Sequence, residues 1–550
     1  MIKAFPKMQN QPQRAAVTDV TLRDFSGGLK TSENETVLKS KYSVVLTNFT
    51  TSEEFSHTLR FGTKLFATAA SAIIDIKYFA SHLIVTLADG RVQKVTSAGV
   101  VTTIWSAAIA ATLPGAPSGW SASSTHINST EMNGSLILMN DMDKPIIISQ
   151  DLTVDYLQDL AASTNINTPI ARHCTTVDQY CVCAVTDEPE VQISASGASG
   201  TWVGDSAPND ATVFSLGAHA PEKNKRIVAL QSFKNKLFVF FVTSIVIVEL
   251  GIYDADGNHT PKIVDTVSSI GVISHRSIFT NETDIVFNST DGVFRARRAT
   301  LSAVYETKPL TDDISPMLYK YLPKIGSNSG YSFVVQDKAK GKAFFFIRTQ
   351  TDEMLILMLS YTADFRRVSL SIVEGWDFDG GCSTDLKRVF FYKGDKVYQY
   401  GNDTFEDEDY TVDYLGDSSV NAGLGNAIAF DWETSWLDAN QRLQTKQLIN
   451  ITGDSQGEAD FTLDIFTDRR YKDSEGAYDP AASLLLRAGL VGGFGQPSEG
   501  FGGGRRFSDE RFLGLPARFK LFKFRIHGSA TKRLVVSTLS LIYRMGSYKR

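Results

Sequence analysis

Between residues 73 and 403 the chain repeats one pattern: an apolar strand, a tight polar turn and another apolar strand. The clearest copies are Ile73–Val95, Met132–Tyr156, Cys174–Ile193, Ile227–Leu250, Ile278–Arg297, Tyr331–Leu370 and Arg388–Tyr400. They begin roughly 50 residues apart, a period at which each unit is a four-stranded propeller blade. Identity between copies is low, so the repeat lies in the alternation of runs and turns, not in a consensus. Runs such as Leu237–Leu250 are dense in Val, Ile and Phe, which favours strand over helix. Asp89-Gly90, Asp291-Gly292 and Gly394-Asp395 interrupt such runs. They predict two-residue hairpins in which both central positions take positive φ.

A length of 550 residues exceeds one ordinary core and implies two or three domains. The expected organisation is all-β. An N-terminal arm and platform strands occupy 1–60, a six- or seven-bladed β-propeller 61–403, an acidic linker 404–424 and a C-terminal β platform 425–550. The linker reading rests on Asp403, Glu406, Asp407, Glu408, Asp409, Asp413 and Asp417, a run that suits a solvated segment. The segment 489–504 holds eight glycines and leads into Arg505-Arg506. A Gly-rich surface loop and a tip that lines or closes an assembly share that composition.

In the platform, Phe430, Trp432, Thr434 and Trp436 fall on one strand face, as do Phe461, Leu463 and Ile465. In Phe519–Ile526 the apolar parity switches, which predicts a one-residue bulge. The Trp pair reads as core rather than as a sugar-stacking platform.

Charge and targeting signals narrow the function classes. A formal net charge of −6 over this length argues against gripping nucleic acid by bulk charge. Leu237–Leu250 is too short to span a bilayer as a helix. Met1–Val17 carries Lys3, Lys7 and Arg14 without an apolar core, so no secretory signal is expected.

Candidate chemistry is sparse. Cys174, Cys181 and Cys183 cluster beside His173. However, Cys181 and Cys183 alternate as strand residues do, and no two-residue metal knuckle separates them. Buried reduced thiols are the expectation, with no metal or cofactor. No Gly-x-Ser-x-Gly elbow, His-Glu-x-x-His pair or Walker-type loop occurs, and the eight histidines show no pairing by spacing. On a strand Asp377 and Asp379 would share a face, as acid and base or as cation ligands; the favoured reading is a strand end entering a Gly380-Gly381 turn. Asp254, Asp256 and Asn258 read as a polar turn, because Gly257 comes too early for an EF-hand loop.

The ends of the chain carry a resemblance. Asp24-Phe-Ser-Gly-Gly-Leu-Lys-Thr31 is followed by Leu46-Thr-Asn-Phe49 and Arg60-Phe-Gly62. Near the other end come Trp432-Glu-Thr-Ser-Trp-Leu437, Lys446 and Phe524-Arg-Ile-His-Gly528. This order resembles the tail nozzle proteins of short-tailed bacteriophages, also called packaged-DNA stabilisation or tail tubular B proteins; Lys30 departs from the Asn often found there. The resemblance implies a virion structural protein, not an enzyme, assembled in the bacterial cytoplasm as a homo-hexameric ring. Its implied partners are the portal adaptor, tail fibres or spikes, a plug or needle and, transiently, packaged double-stranded DNA. No membrane is implied. Gly27, Gly28, Leu29, Asn48 and Arg60, with Arg505 and Arg506, are the candidate interface or gate residues. Arg60 is suited to capping a turn or pairing with a neighbouring subunit. A mildly acidic wall also suits a conduit through which duplex slides. The alternative is a propeller-type glycan-binding protein or glycosidase acting on host-surface polysaccharide, for which no sialidase-type box is present.

Overall fold

In the computed structural model the description covers residues 17–51, 56–113, 119–122, 124, 126–157, 168–185, 188–203, 210–221, 225–255, 258–298, 304–318, 332–348, 353–363, 365–384, 388–401, 406–407, 426–438, 445–457, 459–468, 480, 482–487, 505–509 and 518–545. The chain divides into two compact units, Phe61–Asn426 and a second built from Met1–Arg60 with Ala427–Arg550.

The first unit is a β-propeller with seven four-stranded antiparallel blades among the described residues. The innermost strands are Ile73–Phe79, Asn128–Met132, His173–Val177, Ala229–Phe233, Ile278–Thr280, Phe333–Asp337 and Gly380–Ser383, which define blades 1 to 7. Blade 7 is closed by the start of the unit. Thr63–Thr68 pairs antiparallel with Lys396–Tyr400 as its outermost strand. This joins the two ends of the repeat and closes the ring of blades.

Neighbouring blades bury their apolar faces against each other. Val182 and Ile193 of blade 3 pack with Leu237 and Val239 of blade 4. Phe344 and Phe346 of blade 6 pack with Phe391 and Tyr398 of blade 7. A middle strand therefore has no wet face, and it reads as an unbroken apolar run. That is why Leu237–Leu250 lacks alternation: it spans two buried strands, Lys236–Phe240 and Ser244–Glu249.

The turns correct the hairpin expectation. At the Asp-Gly and Gly-Asp pairs only the glycines, Gly90, Gly292 and Gly394, take positive φ. Both central residues are left-handed at Ala80-Ser81, Asn133-Gly134 and Lys234-Asn235, which join the first two strands of blades 1, 2 and 4. Gly380-Gly381 is likewise not a turn but the start of an inner strand. A Cβ at Gly381 would lie 2.5 Å from the Phe390 carbonyl oxygen, so the glycine serves a close strand approach.

The expected solvated linker also contains a buried tether. Asp407 is 6% exposed and accepts a 2.9 Å hydrogen bond from Trp376 Nε1, beside a parallel bridge to Thr63. Burial of this carboxylate is tolerated because an indole N–H is aimed at it. The rest of 404–424, apart from Glu406, lies outside the described residues, as does the loop 489–504.

The second unit contains two sheets. In one, Tyr42–Thr47, Asn426–Thr434, Phe522–Ala530, Asp460–Thr467 and Ala482–Arg487 are neighbours in that order. In the other, Leu534–Met545 pairs with Lys446–Gly457, Val17–Leu22 and His57–Leu59. Phe430, Trp432, Thr434 and Trp436 are all buried. The parity switch near Phe519 is a break between strands, not a bulge. Arg518–Phe519 pairs with Lys446–Gly457, whereas Phe522–Ala530 belongs to the other sheet. Each strand then presents its own apolar face.

Candidate functional site

In a propeller the inner strands line the axis in a common direction, so residues just before them gather at one end. Three histidines occupy such positions: His126 two residues before the inner strand of blade 2, His173 first in that of blade 3, and His275 three before that of blade 5. Their ring centroids are 5.1 Å apart for His126 and His173, 4.2 Å for His126 and His275, and 5.4 Å for His173 and His275. One nitrogen from each ring lies within 4.8 Å of the others.

Backbone carbonyls fix the orientation of two rings. His126 Nε2 lies 2.7 Å from the Arg172 oxygen, and His275 Nε2 lies 3.3 Å from the Ile127 oxygen. Against a carbonyl only the N–H tautomer is attractive, so Nε2 is the donor and Nδ1 keeps the lone pair. His173 hydrogen-bonds the Ile227 backbone. Its Nδ1 is buried and has no partner among the described residues.

Burial holds all three rings neutral, with the arginine charges nearby adding to it. His126 is pushed down to about 3, and His173 and His275 lie well below the usual histidine range. Carboxylates offset these charges: Arg172 lies 3.5 Å from Asp141, whose charge Arg226 also feels, and Arg276 lies 3.7 Å from Asp75 and donates to the Tyr392 hydroxyl at 2.6 Å. The three imidazoles are thus neutral, with a lone pair on Nδ1 of His126 and of His275, a ligand type that suits a borderline-soft cation.

Sequence reasoning missed this cluster, although a signal existed. From 126 to 173 is 47 residues and from 173 to 275 is 102, about one and two blade repeats. Arg226 stands at the equivalent point before blade 4.

The residues singled out from sequence lie elsewhere. Gly28 has φ +68 and pairs parallel with Tyr42, and Leu29 beside it is buried. A Cβ at Gly27 would meet Lys41 O at 2.7 Å. Asn48 sits at φ +60, donates through Nδ2 to Ala429 O at 2.6 Å and accepts from Arg60 Nε at 2.8 Å. Arg60 is 1% exposed, and its guanidinium is buried rather than presented at the surface. Arg505 and Arg506 begin a strand opposite Ser455 and Asp454.

Asp377 and Asp379 precede the inner strand of blade 7 and share Lys393 Nζ at 3.0 and 3.2 Å, with Arg348 at 3.6 and 3.7 Å. Cys174, Cys181 and Cys183 are free thiols buried against Met139 and Trp202. Burial pushes the Cys174 and Cys183 thiols well up, as an apolar setting does. Asp254 accepts from the Asn258 backbone at 2.8 Å in a turn.

No protein-family model and no curated protein matches the chain. Among solved structures it is similar to a streptogramin B lyase, at 10% identity and a TM-score of 0.37, over 62% of this chain and 98% of that one. A chain of a mitotic checkpoint complex gives 9% identity and a TM-score of 0.37, over 62% of this chain and 94% of that one.

Proposed function

We propose that this protein is a structural component of the tail nozzle of a short-tailed bacteriophage, acting by assembly and not by catalysis. In this reading it forms a homo-hexamer below the portal adaptor and carries fibres or spikes and a plug or needle. It makes transient, non-specific contact with packaged DNA, and it is assembled in the bacterial cytoplasm before residing in the virion tail. The supporting observation is the convergence of the resembling segments from both ends of the chain. Asn48 bonds Ala429, Trp432 Nε1 donates to Ser43 Oγ at 2.9 Å, and Phe430 faces Gly528 across paired strands. Segments separated by nearly the whole chain thus form one polar-pinned core, a rigid body of the kind a ring interface needs.

The test combines purified phage particles with purified protein. Mass spectrometry of particles should find the chain at six copies, and negative-stain imaging with the adaptor should show a ring. Deletion of residues 1–30 should impair incorporation more than it impairs propeller folding. Absence from particles, or specific binding or cleavage of host polysaccharide by the purified chain, overturns the proposal in favour of the glycan reading.

A further inference from the structure

We propose that His126, His173 and His275 bind one divalent transition-metal ion of the zinc class, with a fourth position left to water or a ligand from outside the chain. Three observations carry this, and it stands apart from the nozzle reading. First, the donor set is right: three imidazoles, with one nitrogen of each ring already within 4.8 Å of the others. Tetrahedral coordination at 2.0–2.1 Å needs donors about 3.4 Å apart, so the widest pair must close by up to about 1.4 Å. Small side-chain rotations within one rotamer well supply that movement.

Second, the outer contacts are those of metal-ligating histidines. Such a histidine usually spends its other ring N–H on a carbonyl, carboxylate or water, which fixes the tautomer and raises ligand basicity. Here His126 and His275 face the carbonyls of Arg172 and Ile127 through Nε2, and His173 bonds the Ile227 backbone.

Third, His173 Nδ1 is buried without a partner among the described residues, in a residue 3% exposed. An unmade hydrogen bond at a buried nitrogen is costly, and a metal ion removes that cost. Each ligand enters from a different blade, so the ion would link the inner ends of blades 2, 3 and 5. Arg172, Arg226, Arg276 and Lys77 face the cluster and weaken attraction for any cation. The Asp141 and Asp75 pairings offset part of this.

The experiment uses the full chain without a polyhistidine tag, stripped with chelator and then titrated with Zn²⁺ by calorimetry. One equivalent should bind, and Co²⁺ in its place should give the visible absorption of a tetrahedral nitrogen-ligated site. The variant His275→Gln, at the least buried of the three, should lower affinity at least about tenfold with an unchanged circular dichroism spectrum. The control His82→Gln should bind as wild type does. A wild-type chain that binds no stoichiometric Zn²⁺ overturns the proposal. So does undiminished binding by a folded His275→Gln chain, which would assign the metal to other histidines. The cobalt spectrum reports ligation in the wild-type chain whether or not a variant folds.

Discussion

Replacing Asn48 tests whether the pin between the two ends of the chain is as strong as its geometry implies. Asn48 occupies the left-handed region, donates to Ala429 O at 2.6 Å in a part-buried contact and accepts from Arg60 Nε at 2.8 Å in a buried one. A neutral buried hydrogen bond contributes about 1 kcal/mol and one to a charged group about 1.5–3 kcal/mol. A Cβ residue without a compensating polar side chain adds about 1–2 kcal/mol in this conformation. The contacts share one network, so the sum is not fully additive, and Asn48→Ala should cost about 3–5 kcal/mol. Asn48→Gly removes the same bonds without the strain. Glycine's extra unfolded-state entropy, about 0.4–1 kcal/mol, returns part of that advantage. The glycine variant should therefore be the milder by about 0.5–1 kcal/mol. Hydrogen exchange with mass spectrometry reads this locally: peptides covering 42–51 and 426–434 should exchange at least about 100-fold faster in Asn48→Ala. Peptides from the propeller serve as the internal reference. Exchange within threefold of wild type, or a glycine variant worse than alanine, would refute the assignment of strain and bonding to this residue.

Other expectations follow from single contacts. Asp407→Ala should destabilise the propeller by about 1–3 kcal/mol by removing the carboxylate that accepts from Trp376 Nε1, seen as a lowered urea midpoint; an unchanged midpoint would refute a stabilising role for this bond. Gly381→Val should prevent soluble expression or strongly lower the melting temperature, since its Cβ would lie 2.5 Å from the Phe390 carbonyl oxygen. The buried thiols of Cys174, Cys181 and Cys183, and that of Cys382, which burial pushes up to about 12, should resist a thiol reagent at pH 8 until denaturant is added. His57, buried between Phe25 and Trp432 and pushed down to about 3, binds its proton more readily in the unfolded chain, whose value is near 6.5. Its contribution is complete above pH 6.5 and lost as pH falls toward 3, at up to about 1.4 kcal/mol per pH unit. His57→Phe should flatten that acid limb in denaturant titrations; an identical slope would remove His57 as its source.

The architecture was legible because apolar runs and turn residues recur at blade spacing, and the buried middle strands of blade 4 read plainly as Leu237–Leu250. What failed was local. Turn chemistry was assigned to Asp-Gly, whereas Asn133-Gly134 and even Lys234-Asn235 take the doubly left-handed turn. Asp89-Gly90 sits inside the longer loop 88–91, and Gly292 is already the first residue of its strand, so neither pair is the centre of a two-residue hairpin. The outermost strand of blade 7 was invisible for a different reason. Thr63–Thr68 lies more than 300 residues before its partner Lys396–Tyr400, and no local pattern records such a pairing. Asp407 was hidden by its company, since a carboxylate in an acidic run reads as solvated unless its Trp376 partner is known.

The histidine cluster shows what a repeat does to the meaning of spacing. Metal motifs are usually sought as ligands a few residues apart, because one turn or one helix face places them together. In a propeller, closeness is set by blade phase: residues a whole blade apart meet if both precede their inner strands. His126, His173 and His275 are 47 and 102 residues apart and still meet, whereas His82 and His219, at other phases, do not join them. Cys181 and Cys183, the pair that local spacing offered, are alternate residues of one strand, packed in the core between blades 2 and 3. The phase of a residue within its blade, not its distance along the chain, therefore decides which side chains of this protein can share a ligand.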